Sequence, residues 1–212
     1  MPLTIAAMTA EIRENNIAKG WRSAAGGPGS NTLGDYISLL HTEVAEATEA
    51  FRDHRLNDAT ANQGDCYEIE GTGMCASHHQ HASHCKTPVK PEGVGSEFGD
   101  MAIRLFDTGD VFGFQVCDPD FELDDIADLY PMLSDPDLPD LVSFADHMAW
   151  LHRRIDRMWT DTTTAPAWAL RALVTVARKY GVDLEFEYTR KMAYNRSRPH
   201  RHGGRALTDT NA

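Results

Sequence analysis

A chain of 212 residues, 42% hydrophobic and 25% charged, is long enough to bury one sizeable core and too apolar for wholesale disorder. Its 20 Lys and Arg against 32 Asp and Glu give a net charge of −12, which argues against a nucleic-acid binder, because phosphate backbones need a basic face. No apolar run approaches the roughly 18 residues that span a bilayer, and the first 20 residues lack a signal-peptide core, so a soluble cytoplasmic protein with no membrane partner is expected.

In chain order, Ile5, Met8, Ile12 and Ile17 recur at near-helical spacing over residues 3–19. Lys19-Gly20-Trp21 and a Gly/Ser/Pro loop to Asn31 follow. Residues 32–53 predict a strong amphipathic helix, with Leu33, Ile37, Leu40, Val44, Ala47 and Phe51 in one stripe. Thr32 is its N-cap, and Asp35 three positions on is the capping partner. Residues 57–91 show no sustained period and hold Cys66, Cys75 and Cys85, which predicts a long loop insertion. Ser96 can cap a helix to about Val116, with Phe98, Met101, Ile103, Leu105 and Phe106 apolar; Gly99, Gly109 and Gly113 weaken it.

From Asp118 to Asp140 there are nine acids and no Lys or Arg, so this stretch supplies most of the negative balance. Alternating ligands around a central glycine are missing, so 118–140 reads as a solvated acidic linker, not a calcium loop. Cys117 is the fourth cysteine, and without a secretory signal the four are expected as thiols. Leu141 to Trp159 returns to a helical pattern through Phe144, Met148, Leu151, Ile155 and Met158. Pro166 suits the first turn of the next helix, whose apolar face is Leu170, Leu173, Val174 and Ala177. Gly181 stops that helix, and Asp183 caps a last one to about Arg196. The expectation is a single all-α domain over 1–212.

Two carboxylate pairs stand out, Glu43-x-x-Glu46 and Glu97-x-x-Asp100. Residues three apart on a helix lie about 60° apart around its axis, so each pair points in one direction. Two such helices side by side would gather four carboxylates, intolerable without counter-charge and suited as hard oxygen donors to Mg²⁺ or Mn²⁺. One pair alone is ordinarily a solvated face, but each of these sits in an apolar segment, from Leu39 through Phe51 and from Phe98 through Phe106.

The combination resembles the MazG-like nucleotide pyrophosphohydrolases of the all-α NTP pyrophosphatase superfamily. Further matching stretches are Asn16 with Lys19-Gly20-Trp21, Gly93 to Asp107, and Lys191 to Arg205, so the likeness touches roughly half of the chain. It implies a helical bundle, Mg²⁺ held by Glu43, Glu46, Glu97 and Asp100, and water directed at the α-phosphorus by one of Glu43 and Glu46. The reaction implied is NTP plus water giving NMP plus pyrophosphate, in a homo-oligomer. Lys191, Asn195 and Arg198, at i, i+4 and i+7 of the terminal helix, would clamp the departing phosphates. Trp21 is a candidate base-stacking residue, though tryptophan also serves as a core anchor, and Lys19 a weaker candidate for substrate binding. Asp107, seven after Asp100, is either an outer ligand or, with more weight, a solvated or capping residue.

The chain departs from the family in two places. Thr42 stands where many relatives carry a further glutamate, and the link between the two pairs is long by the length of the insertion. Slow growth of loop-closure entropy makes that length tolerable. Within it, Cys75-x-x-His78 and His81-x-x-x-Cys85 resemble zinc half-sites separated by only two residues, so a Zn²⁺ site and a flexible His-rich loop both remain open, the loop favoured. A di-iron bundle needs Glu-x-x-His, and no Glu here is followed by one. The other readings are a catalytically inactive all-α nucleotide sensor and a zinc-stabilised interaction module.

Overall fold

The computed structural model describes residues 3–53, 68–69, 74–75, 91–123, 125–126 and 142–200. The described chain is helical: α1 (Ile5–Ala18), α2 (Leu33–Arg52), α3 (Val94–Phe112), α4 (Phe144–Asp156), α5 (Ala165–Lys179) and α6 (Leu184–Ser197). A 3₁₀ turn, Arg157–Trp159, follows α4. The insertion contributes a two-residue antiparallel ribbon, β1 (Glu68–Ile69) with β2 (Met74–Cys75), pairing Glu68 with Cys75 and Ile69 with Met74. The rest of residues 57–90, including His78, His81 and Cys85 of the zinc half-sites, lies outside the described residues. No described helix is long and apolar enough to cross a membrane.

Local chemistry sets most helix starts. Thr32 and Asp35 form a reciprocal capping box on α2, as do Ser143 and Asp146 on α4. Asp183 accepts the Phe186 N–H at 2.9 Å to start α6. Two of the unpaired N–H groups at the start of α1 are satisfied from the acidic stretch: Ile5 donates to the Phe121 carbonyl (2.8 Å) and Ala6 to that of Pro119 (2.9 Å). Leu123 and Ile126 are buried while Asp118, Asp120 and Asp125 are exposed, so the start of 118–140 anchors apolar side chains in the core and leaves these acids in solvent. Most of the remainder lies outside the described residues.

Helix α3 occupies the centre, packed against α1, α2, α5 and α6. It begins at Val94 rather than at Ser96, because Gly93 adopts a positive φ of 97° and turns the chain directly into the helix. Ser96 is therefore not the cap; it lies in the first turn with its hydroxyl buried. The helix stops at Phe112, short of Val116, where Gly113 takes the left-handed conformation (φ 71°). Gly99 lets α6 approach closely: a Cβ there would lie 2.9 Å from the Glu187 carbonyl oxygen. That approach brings Lys191 to the carboxylates.

Candidate metal centre

Glu43 from α2 and Glu97 and Asp100 from α3 converge, each offering an oxygen within 4.8 Å of the other two. Glu43 and Glu97 are almost fully buried, at 3% and 4% exposure, while Asp100 faces the partly open side. Helical spacing places Glu97 and Asp100 together on one face of α3, and packing of α2 along it supplies Glu43. Glu46 is exposed and stands outside this group of three, although its charge reaches Glu43 and helps raise that residue's pKa.

Two cations compensate the three acids. The Arg104 Nε donates to Glu43 Oε1 at 2.6 Å across the α2–α3 interface. Lys191, 1% exposed on α6, sets its Nζ 2.7 Å from Asp100 Oδ2 and 3.8 Å from Glu97 Oε2. Burial raises the Glu43 carboxyl pKa above its ordinary value, with Asp100 and Glu46 adding to the effect and Arg104 opposing it. Burial works against the Lys191 ammonium, but Asp100, Glu97 and Glu43 outweigh it, so its pKa is also raised. Three buried-to-half-buried carboxylate oxygens form a hard donor set suited to Mg²⁺ or Mn²⁺.

Compared with family models, with curated proteins and with solved structures, the chain matches none.

The other candidate residues lie toward the C-terminal end of α6 and in the loop after α1. Asn195 lies one turn beyond Lys191 on α6 and is half-buried. Arg198 does not continue the stripe, because α6 ends at Ser197 and Arg198 is extended, its guanidinium over the Tyr194 ring at 5.4 Å. Lys19 donates to the carbonyls of Arg196 (2.5 Å) and Arg198 (2.6 Å), placing a cation on the C-terminal end of α6. Its place is at a helix end, not among the carboxylates. Trp21 is half-buried and its backbone N–H donates to the Asn16 carbonyl at 2.8 Å.

Asp107 is neither solvated nor free to act as an outer ligand. The Arg22 Nε and Nη2 both donate to its Oδ1, at 2.8 and 2.6 Å, and Arg22 also pairs with Asp110 at 2.5 Å. Asp110 in turn pairs with Arg13, joining α1, its following loop and α3. Sequence reasoning missed Arg104 and Arg22. Arg104 carried a usable signal, lying four and seven positions after Asp100 and Glu97 on the same helical face. Arg22 carried none, since Asp107 is 85 residues away.

Proposed function

We propose that the chain is a Mg²⁺-dependent nucleoside triphosphate pyrophosphohydrolase, releasing NMP and pyrophosphate. The observation that carries this reading is the convergence of Glu43, Glu97 and Asp100 from two neighbouring helices with Lys191 against them. The sequence resemblance supplies the reaction class. Glu43, Glu97 and Asp100 would hold the ion, with Glu46 at the edge of the site. When bound, a divalent ion polarises phosphoryl oxygens and makes bound water more acidic. Arg104 fixes the Glu43 carboxylate, and Glu46, three positions on and exposed, would orient water and hold its proton. Lys191, whose ammonium stands beside Asp100 and Glu97, would present its positive charge to phosphate oxygens at the same site. Assembly as a homo-oligomer belongs to the same reading.

The test is pyrophosphate release from a panel of canonical and modified NTPs and dNTPs, with and without Mg²⁺. Turnover should require the ion and fall at least about a hundredfold in Glu97→Ala and Glu46→Ala, both still helical. Folded wild type that hydrolyses no nucleotide with Mg²⁺ or Mn²⁺ overturns the proposal. One observation favours a second reading, a nucleotide sensor without turnover: Lys191 already neutralises part of the site from within. Nucleotide binding without hydrolysis would establish that alternative.

A further inference from the structure

On the side of α2 away from the carboxylates, the imidazoles of His41 and His152 meet across the α2–α4 interface. Their Nδ1 atoms are 2.7 Å apart and the rings meet edge to edge, 5.0 Å between centroids and inclined by 24°. At that distance one nitrogen donates and the other accepts, so at least one ring is neutral and presents a lone pair. His41 stands two positions before Glu43, about 200° around the helix, which separates the two centres on opposite faces of α2. Asp156 lies one turn after His152 on α4, exposed, and close enough for its charge to act on His41.

We propose that His41 and His152 form a second metal site, for a borderline divalent transition ion such as Zn²⁺, with water completing its coordination. Imidazole nitrogens suit Zn²⁺, Ni²⁺ or Cu²⁺, whereas Mg²⁺ prefers oxygen, so the two centres select different ions. With Zn–N near 2.0–2.1 Å, two tetrahedral nitrogen ligands stand about 3.3 Å apart. To share one ion the pair must open by about 0.6 Å and each ring must turn its Nδ1 off the line that joins them, a side-chain rearrangement. The ion would replace one shared proton by two metal bonds and clip α2 to α4. This inference stands independently of the proposed hydrolysis.

Zinc is counted by equilibrium dialysis on the full wild-type chain and on the double variant His41→Gln, His152→Gln, with Mg²⁺ in excess. Zinc held by the His-rich insertion is common to both, so the difference reads this site alone. The expected result is one zinc equivalent fewer per chain in the variant and a smaller zinc-induced rise in Tm. Equal stoichiometry in two folded proteins overturns the proposal. Should the double variant not fold, wild type is treated with diethylpyrocarbonate, with and without zinc, and modification is assigned by peptide mass. Zinc protection of His41 and His152 supports the site; unprotected modification of both overturns it.

Discussion

The Lys191 ammonium lies 2.7 Å from Asp100 and 3.8 Å from Glu97, an internal cation where the carboxylates of α3 need one. Its place follows from Gly99, whose missing side chain lets the α6 backbone come against α3. Glu97 and Lys191 are both almost fully buried, so neither can fall back on water.

Lys191→Met should therefore lower stability in metal-free buffer by about 3 kcal/mol, because it strands a buried acid without its partner. Millimolar Mg²⁺ should recover most of that loss if the carboxylates bind the ion. Urea unfolding with and without Mg²⁺ measures both. An unchanged midpoint in metal-free buffer would show that Lys191 is not the counter-ion of the site.

Arg22→Met should behave differently. It leaves Asp107, 7% exposed, without the guanidinium that contacts it twice, at a cost of about 3–5 kcal/mol. Asp107 lies outside the three converging carboxylates, so Mg²⁺ should not restore the loss. Rescue by Mg²⁺ equal to that of Lys191→Met would place Asp107 in the metal centre after all.

Gly99→Ala should cost about 1–3 kcal/mol by overpacking, since its Cβ meets backbone that can move only with α6. Gly95→Ala should cost less, because the nearest atom to its Cβ is the end of the Glu187 side chain. The same displacement should slow pyrophosphate release in Gly99→Ala more than in Gly95→Ala, by moving Lys191. Denaturation midpoints together with turnover rank the pair, and a reversed order would exclude α6 displacement as the cause.

The acid limb of the stability curve should contain a contribution from Asp161. Hydrogen bonds from Thr164 and Thr163, ahead of α5, hold its carboxyl down at about 2. A depressed carboxyl stabilises the fold above its unfolded value of 3.8, and that contribution fades as pH falls toward about 2. The stability gap between wild type and Asp161→Asn should thus narrow over this window. A gap constant from neutral pH to about pH 2 would remove Asp161 from the acid response.

Local patterns were legible from residues alone. The stripe of Ile37, Leu40, Val44 and Ala47 is buried as its period required, and Thr32, Asp183 and Pro166 stand where their chemistry places them at helix starts. The start of α3 was misplaced at Ser96, because a polar side chain signals a cap whereas the positive φ of Gly93 appears only in three dimensions. Both carboxylate pairs were visible as spacings, since helical geometry fixes which residues share a face.

The sequence by itself determined where the helices run and which acids each one gathers, because those depend on neighbours within a few turns. Tertiary packing alone decided that Glu43 joins Glu97 and Asp100 while Glu46 stays exposed. It also set Arg104 against Glu43, 61 residues away, and buried Lys191 as the counter-ion of Asp100. The reason is physical: a period tells which face of a helix is apolar, but only the close approach of α2 and α6 to α3 chooses which charges must be buried together and therefore paired.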